Sequence, residues 1–141
     1  MEFTFESHSS ESTTLLGNLF GQFIKIPSVV ALSGELGSGK TLFSRGVAQG
    51  LGVKNMGEVC SPTYTIVNEY PFNSKIQGKR EVLYHLDFYR LSELRDLDDL
   101  GFYDFAFVKG FCLIEWAERF PKVLQASHVQ INFVASSEFH R

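Results

Sequence analysis

The stretch "VVALSGELGSGKTLFSRGVAQGLG", residues 29–52, constrains the fold of this chain more than any other. It opens on a short apolar, β-branched run, crosses three glycines at Gly34, Gly37 and Gly39, and continues with helical periodicity to Gly50 and Gly52. A short apolar run without polar alternation is the pattern of a strand buried on both faces of a parallel sheet. Glycine is an expensive choice in ordered structure, because fixing its backbone costs more entropy than for any other residue. Three of them between a buried strand and a helix require a purpose, and the usual one is a main-chain N–H cradle for a phosphate. The spacing Gly34-x4-Gly39-Lys40-Thr41 meets that pattern, which composition alone would produce on the order of 0.5% of the time in such a chain.

The cradle is read as Gly34, Glu35, Leu36, Gly37, Ser38, Gly39, Lys40, Thr41 and Leu42. The glycines let the backbone curl so that its N–H groups converge on a β-phosphate, and the positive end of the following helix adds its field there. Lys40 is expected to reach the β- and γ-phosphates, and the Thr41 hydroxyl to ligate Mg²⁺. The ligand is then a nucleoside triphosphate. No NKxD tetrapeptide of the kind that selects guanine occurs, so ATP is the expected nucleotide.

Hydrolysis requires a carboxylate near the metal and a means of placing water. "FCLIE", residues 111–115, is an apolar run that ends in an acid, the form of a Walker B strand. Glu115 is expected at the sheet's carboxyl edge, holding Mg²⁺ directly or through water, with the orienting of the attacking water open between it and Asp87; the alternative is an exposed glutamate at a strand end. Asp87 in "YHLDFYRL" shares strand parity with His85 and is the second catalytic candidate, a salt bridge to Arg90 being the alternative. In "SPTYT", residues 61–65, Thr63 is the candidate γ-phosphate sensor, as in GTPase-like switch loops, against simple turn chemistry.

The remaining chain is read around these segments. "EFTFES" alternates as a strand; residues 9–26 carry apolar positions at helical spacing, with Ser10, Ser12 and Thr13 as N-cap candidates. "TIVNEYPF" and "REVLYHLDFYRL" form a hairpin, "SELRDLDDLGF" a short acidic helix that Gly101 ends, and "HVQINFVA" a last strand. Strands alternating with helices at both ends predict an α/β fold: a P-loop NTPase-like three-layer sandwich whose parallel central sheet carries an antiparallel hairpin. Its site belongs beyond the carboxyl ends of the strands. At 141 residues the chain fits one domain spanning 1–141.

Composition excludes several classes. The chain is 44% hydrophobic and 21% charged, as an ordinary globular protein is. No apolar run approaches the roughly 18 to 20 residues of a membrane span, and the acidic start has no signal pattern, so a cytoplasmic location is expected. Thirteen basic residues against 16 acidic give a formal charge of −3. Tight direct binding to RNA or DNA would call for a basic face. Cys60 and Cys112 have no zinc or redox spacing, and Cys112 lies in an apolar run as a buried thiol does. The four histidines show no ligand spacing, and His85 carries no assigned role.

Four segments in this order, "GELGSGKT", "SPTYTIVNEY", "YHLDFYRL" and "LIEW", with "ELRDLDDLGF" between the last two, resemble the TsaE (YjeE) family of small bacterial P-loop ATPases. The resemblance implies Mg²⁺-ATP as ligand and a part in making threonylcarbamoyladenosine on tRNA beside the anticodon. It also implies TsaB and TsaD as partners, TsaD carrying the transfer chemistry and tRNA being met through the complex. Lys40 and Thr41 correspond to the P-loop pair, Thr63 to the switch-like loop, and Asp87 and Glu115 to the acids of the catalytic site. Trp116 follows Glu115 as in the family's "EW" pair, either shaping the site or packing. In this fold the helix near Ser12 and Thr13 would approach the base. Family members usually continue into a further strand where this chain ends in "SSEFHR", so the expectation is either a truncated C-terminal strand or a naturally short end. The competing readings are a small P-loop kinase, for which no arginine-rich lid segment is present, and a nucleotide-dependent binding module with negligible catalysis.

Overall fold

The computed structural model describes residues 1–124 and 128–136. Its strands are β1 (Ser28–Gly34), β2 (Val67–Asn73), β3 (Arg80–Asp87), β4 (Phe111–Glu115) and β5 (Val129–Phe133). They form one sheet in the order β2-β3-β4-β1-β5. β1 pairs in parallel with β4 and β5, β4 pairs in parallel with β3, and β2 returns antiparallel along β3. This is the parallel sheet with an antiparallel hairpin that the element pattern predicts. Pro71 sits within β2, an edge of this sheet, where a missing N–H costs no ladder bond.

Helices α1 (Ser10–Phe23) and α2 (Lys40–Leu51) cover one face of the sheet. The short helices α3 (Arg95–Asp99) and α4 (Phe102–Phe105) cover the other, with 3₁₀ turns at Ala117–Arg119 and Pro121–Val123. Strand alternation sorts the core into two. Val30, Leu32, Leu83, Phe111 and Leu113 meet Phe43 and Val47 of α2, while Val29, Ala31, Leu86 and Ile114 meet Phe88, Leu97 and Phe102. Every residue of β4 is buried, as expected of a strand covered on both sides. Cys112 is among them; burial pushes its thiol up to about 12, whereas Cys60 is exposed.

Two glycine pairs set how closely α1 and α2 cross. A Cβ added at Gly46 would fall on Thr14 O, and one at Gly50 on Asn18 O; Gly17 and Gly21 face Phe43 O and Val47 O in the same way. The helices therefore meet backbone to backbone. The leucine and phenylalanine periodicity of α1 divides accordingly. Leu16, Phe20 and Ile24 pack toward the sheet, while Leu15, Leu19 and Phe23 are exposed.

Several boundaries differ from the sequence expectation. "EFTFES" is not a strand: residues 1–8 hold no regular element, and Phe3 and Phe5 are exposed. Alternation makes a strand only where a neighbour offers a ladder. The N-cap of α1 is Ser9, whose Oγ accepts from Ser12 N at 3.0 Å, rather than Ser10, Ser12 or Thr13. Gly101 ends α3 as expected, in the left-handed region at φ 66°, and α4 follows at once. Asp96 of that acidic segment accepts from Ser92 N and Glu93 N, and Leu97 is buried. The expected truncated or naturally short C-terminal end falls on residues 137–141, outside the described residues.

Candidate functional site

Sheet register assembles the site. Leu32, Glu115 and Asp87 lie side by side across β1, β4 and β3 at their carboxyl ends. His85 and Asp87 continue the face of Leu83, and Glu115 continues that of Phe111 and Leu113, so all three project toward α2. β1 ends at Gly34 and α2 begins at Lys40, which places residues 34–39 directly above this row.

That loop has the backbone of a cradle. Gly39 stands at φ 107° as the N-cap of α2, a left-handed conformation that a larger residue rarely adopts. At Gly34 a Cβ would lie 2.6 Å from Phe133 O. The N-terminus of α2 has no side-chain cap, which leaves its first-turn N–H groups and the helix dipole to face an anion. Glu35, Leu36 and Gly37 are exposed, Ser38 is half-buried, and Leu42 lies half-buried in the first turn of α2. Thr13 of α1 comes up to Gly39, so this helix lies beside the loop.

Lys40 is buried and folded onto its own loop, donating to Gly34 O at 2.6 Å and Glu35 O at 2.8 Å. Its Nζ also stands 4.1 Å from the centre of the Trp116 ring. Burial lowers the ammonium's pKa, and the carboxylates of Glu115, Glu118 and Asp87 offset part of that.

Glu115 is 2% exposed, so its carboxyl must be satisfied internally. Oε1 meets His85 Nε2 at 2.8 Å and accepts from Ser44 Oγ at 3.1 Å, and Oε2 accepts from Thr41 Oγ1 at 3.2 Å. Burial raises this carboxyl, but the bond and field of His85 with the hydroxyls of Ser44 and Thr41 outweigh it, leaving its pKa below the ordinary value. Glu115 is thus buried and not the exposed strand-end glutamate of the alternative reading. Thr41 and Glu115 offer a hydroxyl and a carboxylate, hard oxygen donors that fit a Mg²⁺-like cation. Among the described residues no three His, Cys, Asp or Glu side chains gather as a metal cluster. A cation on this pair would complete its shell with phosphate oxygens and water.

Asp87 does not pair with Arg90. Its Oδ2 accepts from Ser61 Oγ at 2.8 Å and Thr63 Oγ1 at 2.9 Å, and its Oδ1 from Tyr89 N at 2.8 Å. The Arg90 guanidinium lies 4.4 Å from the Tyr64 ring centre instead. The loop that carries Thr63 is therefore tied to the end of β3. It closes through Ile66 at φ 68°, a left-handed conformation that is strained for a β-branched residue.

Trp116, at φ 58°, turns the chain sharply after Glu115 and sets its ring against Lys40 and Tyr89. It both shapes the site and packs. Sequence reasoning missed four residues here: His85 and Ser44 on Glu115, Ser61 on Asp87, and Glu118, which accepts from Gly34 N at 3.1 Å. The parity of His85 with Asp87 and the one-turn spacing of Ser44 from Lys40 were the available signals. Glu118 had none.

A Gly-rich strand-to-helix loop over a row of acids at the carboxyl ends of a mostly parallel sheet defines a P-loop protein. A family model described as "Threonylcarbamoyl adenosine biosynthesis protein TsaE" matches residues 7–141. The tRNA threonylcarbamoyladenosine biosynthesis protein TsaE of Treponema pallidum is 36% identical over 96% of this chain and 93% of its own. Its namesake in Haemophilus influenzae is 41% identical over 74% of this chain, which spans 61% of that relative's length. The crystal structure of YdiB from Bacillus subtilis superposes with a TM-score of 0.68 at 32% identity, covering 89% of this chain and 72% of YdiB. The chain belongs to the TsaE family of tRNA threonylcarbamoyladenosine biosynthesis.

Proposed function

We propose that this protein is a cytoplasmic, Mg²⁺-dependent ATPase that supports threonylcarbamoylation of the tRNA adenosine beside the anticodon, acting with TsaB and TsaD. The observation that carries the reading is the pairing of Thr41 Oγ1 with Glu115 Oε2 directly beneath an uncapped helix N-terminus and glycine cradle. Oxygen donors and main-chain N–H groups stand together there as a phosphate-bound cation requires.

In this reading main-chain N–H groups of the 34–42 segment bind the phosphates, apart from those of Gly34 and Ser38, which donate to Glu118 and to Glu35 O. Lys40 leaves the Gly34 and Glu35 carbonyls for the β- and γ-phosphate oxygens, exchanging two neutral acceptors for charged ones. Thr41 and Glu115 hold the cation, which when bound would neutralise charge on the phosphate oxygens. Asp87 and the Thr63 hydroxyl stand at the γ-phosphate end. Water adds to the γ-phosphorus as the bond to the β–γ bridging oxygen breaks, giving ADP and phosphate, and Asp87 orients that water. A formal charge of −3 fits a protein that leaves tRNA contact to its partners.

The test is phosphate release by wild type and Glu115→Ala, each alone and with TsaB plus TsaD. The expected result is slow release alone, stimulation by the partners, and a variant that binds ATP while losing at least about 100-fold in turnover. Release indifferent to the partners would remove the coupling, and full activity of Glu115→Ala would remove the assigned acid.

A further inference from the structure

His85 occupies a place that packing alone would give to an apolar residue. It is 1% exposed on the α2-facing side of β3, among Leu83, Phe111 and Leu113. Its Nδ1 is buried with no hydrogen-bond partner among the described residues. Leaving a buried polar atom unsatisfied is costly, and natural cores hold few such atoms. The one polar return on this imidazole is its Nε2 bond to Glu115 Oε1. Since a carboxylate only accepts, Nε2 carries the shared proton.

Ser44 approaches the same oxygen from α2. It lies one turn after Lys40 on α2, with Oγ 3.1 Å from Glu115 Oε1 and 2.9 Å from Lys40 O. The single Ser44 proton is shared between these two acceptors, so Oε1 is held chiefly by His85 of β3 and more weakly by Ser44 of α2, whereas Oε2 has the Thr41 hydroxyl as its neighbour. A glutamate has three side-chain torsions, and a strand end leaves room for several rotamers. With Oε1 so held, the rotamer that points Oε2 at Thr41 is selected before any ligand arrives.

We propose that His85, seconded by Ser44, is a positioning residue that locks Glu115 so that Oε2 and Thr41 Oγ1 form a preformed oxygen pair for the nucleotide's divalent cation. This rests on the Mg²⁺-ATP reading above. His85 touches neither phosphate nor cation; it acts through Glu115, as outer-shell partners of metal ligands do.

The experiment measures binding of a fluorescent ATP analogue across a Mg²⁺ titration and in EDTA, with steady-state ATPase rates and thermal melts, for wild type, His85→Leu, His85→Gln and Ser44→Ala. His85→Leu is expected to raise the Mg²⁺ midpoint at least about tenfold while the EDTA affinity stays within about twofold. It should also lower kcat more than it raises KM. His85→Gln, whose amide can place an N–H near the position of Nε2, should recover the midpoint to within about threefold, and Ser44→Ala should shift it less, in the same direction as Leu. An unchanged midpoint in His85→Leu, or parallel losses with and without Mg²⁺, overturns the inference. If His85→Leu does not fold, Ser44→Ala decides, and an unmoved midpoint there overturns it. A wild type whose nucleotide binding ignores Mg²⁺ overturns the underlying reading as well, which separates the two failures.

Discussion

Glu115 shows what a buried acid demands of its surroundings. Three donors hold it ionised, and the outcome is a carboxyl whose pKa is lowered on folding. A depressed carboxyl contributes stability that is complete above its unfolded value, about pH 4, and is lost as pH falls through the lower folded value. Urea unfolding of wild type at pH 6 and at pH 3 should therefore show a steeper acid loss than the same pair in Glu115→Gln. Equal losses would mean that Glu115 is not held ionised. At this scale Lys40, Thr41, Asp87 and Glu115 were legible because each sits in a local pattern with a mechanism attached. His85 and Ser44 were not, because their roles exist only across three elements. Thr63 was assigned to a phosphate, and the structure ties its hydroxyl to Asp87 at 2.9 Å. That contact runs between side chains 24 positions apart, beyond any local spacing rule.

Elements pack here by the absence of side chains as much as by their presence. Gly17 and Gly21 of α1 lie against α2 backbone, and Gly46 and Gly50 of α2 lie against α1 backbone. Gly46→Ala would gain about 1 kcal/mol of helix propensity, yet its methyl has no space unless the helices part. Overpacking of that kind costs about 1 to 3 kcal/mol and outweighs the gain here because the obstacle is backbone oxygen, which cannot rotate away. Gly57→Ala, whose methyl would meet nothing within 4 Å, should change unfolding free energy by less than about 0.5 kcal/mol. Equal effects of the two substitutions in urea melts would refute the close crossing. The helices themselves were legible from apolar spacing, but which face of α1 is buried was not. Leu15 and Leu19 fit the periodic pattern and are exposed, because the contact with α2 is made through glycines that hydrophobicity does not mark. The expected first strand failed for the converse reason: alternation was present in "EFTFES" and a pairing partner was not.

Across the whole molecule, one end of the sheet gathers the candidate site and the two faces hold the core. A ligand that binds the folded state alone stabilises it by mass action. At 100 times its dissociation constant, Mg²⁺-ATP should add about 2.7 kcal/mol and raise the melting temperature by several degrees. Lys40→Ala should abolish most of that shift, and a full shift in the variant would mean that the nucleotide sits elsewhere. Sequence alone determined the class of fold and set a glycine-rich strand-to-helix loop beside two strand-end acids, Asp87 and Glu115, because glycine spacing and buried-strand composition are local consequences of backbone sterics and burial. The resemblance carried by four segments likewise held over nearly the whole chain. Tertiary structure decided what holds those acids. The register of β3 against β4 and the height of α2 above them bring His85 and Ser44 onto one oxygen of Glu115, and Ser61 and Thr63 onto one oxygen of Asp87. Hydrogen bonds depend on distance and direction between elements far apart in the chain, and no spacing within a single element encodes either.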